Sequence, residues 1–282
     1  MLIILTKRAI SKEIEFGIPI ISVGNIIVGG SGKTPVTIKL ASKYDENACI
    51  ILRGYGRASK GLYVVSLNGK ILEDVKTSGD EAMLLANSLP KATIIVSENR
   101  IKAILKAKEL GCKIIFLDDG FSKYKIAKFN ILLRPKNEPT NIFCLPSGGY
   151  REPKGFYAQA DIELVEEKDF KRVITIKKDG RVSELPIKTI VITAISKPKR
   201  LLEYLPKDIK MISFPDHYTF TKDDISKIQE ENKDYVILTT GKDFVKLKEF
   251  DIKNLYLMDL DIQISENTDF TLMEEYINSF NK

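Results

Sequence analysis

The chain offers little to a transition metal: one histidine, His217, and three cysteines, Cys49, Cys112 and Cys144, in 282 residues. The cysteines are odd in number and far apart, with no CxxC or CxxxC spacing, which argues against a zinc site or a disulfide framework. They read as reduced thiols of a cytosolic protein, and a zinc hydrolase is not expected. No apolar run reaches the length of a membrane span. The N-terminal stretch Met1–Arg8 has five apolar residues before its charges and lacks the long apolar region of a signal peptide. A peripheral membrane contact remains compatible with it. There is no internal repeat and no low-complexity tract. A dense basic patch is missing too. The formal net charge is +6, from 44 Lys and Arg against 38 Asp and Glu. That mild bias does not suggest a nucleic-acid partner, but it suits anionic phosphates or an anionic lipid surface.

What is present is an apolar fraction of 44% in short dense runs, enough for a sizeable core. Runs at Ile18–Val23, Cys49–Arg53, Thr93–Ser97, Lys113–Leu117, Asn130–Arg134 and Asp161–Val165 read as strands. Helical patterns at Thr34–Tyr44, Glu81–Leu89 and Arg100–Leu110 alternate with them. Repeated βα units predict an α/β fold with a mostly parallel sheet covered by helices. Asn68-Gly69 and Asp179-Gly180 are type I′ hairpin signals. Arg134 to Ala160 has little periodicity, and an irregular stretch of that length is usually functional. The expected organisation is a P-loop core over 1–170, a hairpin-like linker over 171–188 and a smaller α/β domain over 189–282. In the last part, strands at Thr189–Ala194, Met211–Phe214, Tyr235–Thr240 and Leu255–Met258 alternate with helices at Lys199–Leu205, Lys222–Glu231, Asp243–Phe250 and Thr271–Phe280.

The first strand runs into Gly24-Asn25-Ile26-Ile27-Val28-Gly29-Gly30-Ser31-Gly32-Lys33-Thr34 and then a helix. That is the setting of a phosphate-binding loop, in which backbone N–H groups and a helix N-terminus surround phosphate oxygens. Ile27, Val28, Gly29, Gly30, Ser31, Gly32, Lys33 and Thr34 are the expected ATP-binding residues. Ile27 stands where the usual pattern has glycine, so the loop is atypical. Lys33 would reach the β- and γ-phosphates, and Thr34 would put its hydroxyl on Mg²⁺. The buried strand Lys113–Leu117 ends in Asp118-Asp119-Gly120, the arrangement that holds Mg²⁺ or its waters. One carboxylate would serve the metal and the other the catalytic centre. Asp118 is assigned to the metal and Asp119 to catalysis.

In order along the chain stand ISVGNIIVGGSGKTPV, ILRGYGR, SGDEA, SENR, FLDDGF, LPSGGYREP, FPDHY and TTGKD. Together they resemble the tetraacyldisaccharide 4′-kinase family over roughly Pro19 to Lys246. The resemblance implies a MgATP-dependent kinase acting on the 4′-hydroxyl of a lipid disaccharide 1-phosphate to give lipid IVA. It implies peripheral work at the cytoplasmic face of the bacterial inner membrane, and no obligate protein partner. It makes Asp80 and His217 a catalytic pair, and gives Arg151 a catalytic place, either stabilising transition-state charge or holding the substrate's phosphate. Asn25, Glu81, Arg100 and Glu152 become substrate-binding residues, and Thr240–Asp243 a lining of the nucleotide cleft. Without the resemblance, Ser78–Glu81 reads equally as a helix-capping box and His217 as an ordinary loop histidine. Two departures stand out. About seventeen residues precede the first strand, too few for the family's longer apolar anchor. Lys123 replaces the histidine of the family's DDGFQH. The alternatives are a P-loop regulatory ATPase, which would need a switch loop and a base-specificity motif, and a cofactor-biosynthesis ligase, which would need no Asp–His pair.

Overall fold

The computed structural model describes residues 12–281. The Met1–Arg8 run lies outside the described residues. Two sheets organise the chain. The first is built from β1 (Ile20–Gly24), β2 (Ala48–Leu52), β3 (Tyr63–Leu67), β4 (Lys70–Ile71), β5 (Thr93–Val96), β6 (Ile114–Asp118), β7 (Phe129–Arg134) and β8 (Ile162–Val165). Their order is β4-β3-β5-β2-β6-β1-β7-β8. Only β3 runs against the rest, antiparallel to both β5 and β4. The central strands β1, β2, β5 and β6 are buried at every position. A strand covered by helices on both faces has no solvent side, so its sequence is a continuous apolar run rather than an alternation.

The second sheet holds β9 (Phe170–Lys178), β10 (Arg181–Val182), β11 (Thr189–Thr193), β12 (Lys210–Ser213), β13 (Val236–Thr240) and β14 (Leu255–Ile264), ordered β10-β9-β14-β13-β11-β12. Both hairpin signals hold: Asn68 and Gly69 have φ of 48° and 82°, and Asp179 and Gly180 have φ of 49° and 76°. The hairpin at 171–188, however, is no linker. Its first strand pairs with β14 from Tyr256–Lys178 to Ile264–Phe170. Nor does 189–282 stand by itself. The helix Thr271–Asn278 returns to the first sheet, where Met273 and Ile277 join the core of Ile21, Phe116 and Phe129. The Tyr276 hydroxyl accepts from the Ile20 N–H at 3.3 Å. Apolar spacing alone did not reveal this return, because a helix's stripe does not name the surface it covers.

The parallel strands of both sheets end at one cleft. β1, β2, β5 and β6 deliver the phosphate loop, Arg53, Ser97 and Asp118, while β11, β12 and β13 deliver Ala194, Phe214 and Thr240. The carboxyl edge of an open α/β sheet is where ligands bind, and here two such edges share one cavity.

Candidate active site

The helix Lys33–Ala41 begins directly at the phosphate loop. Its N-cap, Gly32, has φ 87°, a left-handed conformation that a residue with Cβ reaches only at a cost. Lys33 follows. Its Nζ donates to Asn25 Oδ1 at 3.2 Å and lies 3.8 Å from Asp119. Burial pulls its pKa below the ordinary lysine value, and the charge of Asp119 opposes that. Thr34 donates its hydroxyl to Asp118 Oδ2 at 2.8 Å, both groups being buried. Asp118 is pushed up to about 6, first by burial and then by the charge of Glu81, against the Thr34 hydrogen bond. Asp119 has φ 57° and so turns away from its neighbour. Arg151 donates to its carboxylate from Nη1 at 3.0 Å and from Nη2 at 3.3 Å. Burial raises the Asp119 carboxyl, but Lys33 and Arg151 outweigh it and hold the pKa below the usual value.

A cavity of about 810 Å³ opens over this loop. Gly30, Ser31, Gly32, Lys33, Thr34, Asp118, Asp119, Arg151, Arg100 and Glu81 line it. The Ser31 hydroxyl is buried and has no partner among the described residues, a donor left free for an anion. Arg53, Arg100 and Lys123 add a cationic wall. Burial lowers Arg100 to about 10, and burial followed by the charges of Arg100 and Arg53 lowers Lys123. The family's histidine position thus still contributes a basic group to the cavity.

Not every expected contact lies in that lining. Ile27 packs its side chain among Phe121, Leu132 and Tyr150, and its carbonyl accepts from Arg151 Nε at 3.1 Å. Asn25 is buried, with its Oδ1 taken by Lys33 and Arg151, so it orients those two cations. Glu152 is buried beyond the lining, with Oε2 unpartnered among the described residues. Val28 and Gly29 also stand outside the lining, and the Val28 carbonyl accepts from Lys197 at 3.2 Å.

Asp80, which opens the helix Asp80–Ser88, and His217, in the loop after β12, meet. His217 Nδ1 is 3.0 Å from each carboxylate oxygen of Asp80. His217 is held at φ 60°, a strained backbone for a residue with a branching ring. The hydrogen bond to Asp80 raises the His217 pKa above 6.5, against burial. Burial raises Asp80, but His217, Lys242 and Lys246 bring it below the usual carboxylate value. The adjacent carboxylate of Asp216 is 3.9 Å from Nε2. The capping-box alternative fails. The N-cap of the helix Asp80–Ser88 is Gly79, and the Ser78 hydroxyl donates backwards to the Asp74 carbonyl.

Sequence reasoning named Thr240–Asp243 as a cleft lining but missed Lys246, Arg172 and Arg200, which also join the halves. Lys246 is a buried amine 3.5 Å from Asp80 and 2.9 Å from Asp243, and it donates to the Tyr218 carbonyl at 3.1 Å. Asp243 accepts from the Thr193 hydroxyl at 2.8 Å and the Ala194 N–H at 2.9 Å, while His217 N–H donates to the Ala194 carbonyl at 3.0 Å. Lys242 pairs with Glu81. The Thr-x-Lys-Asp segment therefore acts as a brace that fixes where His217 stands. Arg172 and Arg200 both donate to the Gly30 carbonyl, and Glu166 holds Arg172 at 2.8 Å. The available signal was the position of Arg200 and Lys246 after strand ends of the second sheet, while Arg172 lies near the start of β9.

The model of the family described as tetraacyldisaccharide-1-P 4′-kinase matches residues 2–277. The chain belongs to this family. A tetraacyldisaccharide 4′-kinase of Aliarcobacter butzleri is 75% identical over 99% of this chain and 89% of its own length. One from Helicobacter acinonychis is 46% identical over 97% and 85%. Among solved structures, an "apo" form of LpxK from Aquifex aeolicus, in complex with ATP, superposes with a TM-score of 0.75 at 28% identity. It covers 98% of this chain and 92% of that one. Both the fold class and the family resemblance are therefore established. Membership in a tetraacyldisaccharide 4′-kinase family does not favour the regulatory ATPase or the ligase.

Proposed function

We propose that the chain transfers the γ-phosphoryl group of ATP to the 4′-hydroxyl of a tetraacyldisaccharide 1-phosphate, forming lipid IVA in lipid A biosynthesis, with the residues that meet in the cleft. The observation that carries the mechanism is the pairing of His217 with Asp80. The Asp80 carboxylate accepts from Nδ1–H, which leaves the Nε2 lone pair as a base. His217 takes the proton of the sugar hydroxyl as the phosphorus–oxygen bond forms and the bond to ADP breaks. Lys33 and the N–H groups of Gly30 to Lys33 stabilise the charge on the moving phosphoryl group. Arg151 holds Asp119 and faces the cavity beside Lys33. Arg100, backed by Arg53 and Lys123, offers a phosphate-binding wall for the acceptor, and Glu81 positions that acceptor from the side of Lys242. Asn25 and Glu152 support the site from beneath the lining.

Thr34 and Asp118 fit Mg²⁺. They present hard oxygen donors 2.8 Å apart on buried side chains, and magnesium takes few protein ligands when phosphates complete its shell. The ion would supply charge neutralisation across the β- and γ-phosphates. Replacing Thr34 by alanine raises the Mg²⁺ concentration needed for half-maximal turnover while ATP-independent folding is kept. A metal titration read by phosphoryl transfer checks this, and an unchanged midpoint would remove Thr34 from the metal site.

The acceptor is an amphiphile, so the enzyme works as a peripheral protein at the cytoplasmic face of the bacterial inner membrane. Among the described residues no helix is long and apolar enough to cross a membrane. The assay that tests the whole reading is transfer of labelled phosphate from ATP to the lipid acceptor in detergent micelles.

A further inference from the structure

The loop Asn141–Gly149 exposes Ile142 at 63%, Phe143 at 65% and Leu145 at 57%. No other four consecutive described residues gather three large apolar side chains that are more than half exposed. Single exposed apolar residues are ordinary, whereas a contiguous set marks an interaction surface.

This is a shaped loop rather than a frayed one. Asn141 Nδ2 donates to the Ser147 carbonyl at 2.7 Å, and Asn141 Oδ1 accepts from the Phe143 N–H at 3.0 Å. The N–H groups of Ser147 and Gly148 donate to the Cys144 carbonyl at 3.1 and 3.2 Å. Leu145 N–H donates to the Tyr150 carbonyl at 2.8 Å, and the Tyr150 side chain is fully buried beneath. Backbone groups satisfied within a loop lower the cost of taking it out of water. The same loop is bonded to the phosphate site: the Val28 N–H donates to the Gly149 carbonyl at 2.9 Å, and Arg151 follows Tyr150. An apolar tip is therefore fixed to the rim of the site that handles an acylated sugar.

We infer that Ile142, Phe143 and Leu145 insert into the lipid leaflet and dock the phosphate site onto the membrane that holds the acceptor. The inference rests on the proposed reading that the kinase works at a membrane and says which surface makes the contact. The acyl chains stay in hydrocarbon while the sugar reaches the phosphate loop, so the protein surface touching the leaflet must adjoin that loop. This loop adjoins it and carries the apolar side chains that such a contact needs. The net charge of +6 adds attraction to anionic headgroups.

The test uses the full chain and vesicles of phosphatidylethanolamine with a minor share of phosphatidylglycerol. The triple variant Ile142→Ser, Phe143→Ser, Leu145→Ser binds these vesicles at least about tenfold more weakly than the parent, as expected for lost apolar insertion. It keeps the parent's turnover on acceptor dispersed in detergent. The sequence has no tryptophan, so a Phe143→Trp variant carries one reporter. Its emission shifts to the blue on adding vesicles and is quenched by lipids brominated along the acyl chain. If the parent binds vesicles and the triple variant binds as tightly, the loop assignment falls while the membrane reading stands. If the parent does not bind, both fall. Equal loss of turnover in detergent would make the loop part of the site's structure, and a blue shift that follows protein concentration without lipid would make it a self-association surface. Either result overturns the proposal.

Discussion

Replacing His217 by alanine lowers kcat by about two to four orders of magnitude, the usual worth of a general base, with little change in ATP affinity. Asp80→Ala acts in the same way. The double variant loses far less than the product of the two, because the residues act through one hydrogen bond. The pH profile gives the sign. A base works when unprotonated, and the Asp80 hydrogen bond keeps His217 protonated to a higher pH than an ordinary histidine. Turnover therefore falls as pH drops through a midpoint above 6.5. In Asp80→Asn that midpoint moves down toward the ordinary value. Pre-steady-state phosphoryl transfer at a series of pH values, on all four members of the cycle, measures this. Full additivity, with an acid limb that survives in His217→Ala, would leave Asp118 or Asp119 as the base.

Lys33→Ala is the second large effect. Its ammonium group sits at the phosphate loop, 3.8 Å from Asp119, and takes part in none of the apolar clusters. Removing it costs about two to three orders of magnitude in turnover, as for the loss of one preorganised charge at a transition state. The melting temperature stays within a few degrees, since no core volume is lost. Single-turnover kinetics with saturating ATP, next to a thermal melt, separates the two. Near-normal turnover in a folded variant would take Lys33 out of the phosphate site.

The legible parts of this molecule were the local ones. Gly32-Lys33-Thr34 after a buried strand, and Asp118-Asp119 after another, announce a phosphate site because strand, turn and helix are contiguous. The Asp80–His217 contact spans 137 residues. No periodicity links positions so far apart, and only the family resemblance suggested it. Lys246 was invisible because its role depends on two strand ends facing each other across the cleft. Arg172 was read as part of a linker hairpin, since its strand has the alternation of an exposed ribbon. Its partner β14 was underestimated at Leu255–Met258, because Asp259, Asp261 and Gln263 interrupt the apolar run. Those polar residues belong to the half-exposed continuation of the strand along β9. Ile27 was read as a nucleotide contact from its place in the motif, yet a large apolar side chain there finds the core beside Tyr150.

The most direct test of the central claim is one transfer reaction. The chain is incubated with ATP labelled at the γ-phosphate and a tetraacyldisaccharide 1-phosphate, and the lipid product is isolated and its phosphorylated position determined. The account predicts label on the 4′-oxygen of the lipid, formed only with divalent cation present and lost in Lys33→Ala. Label released only as inorganic phosphate, at a rate indifferent to the lipid, would contradict it.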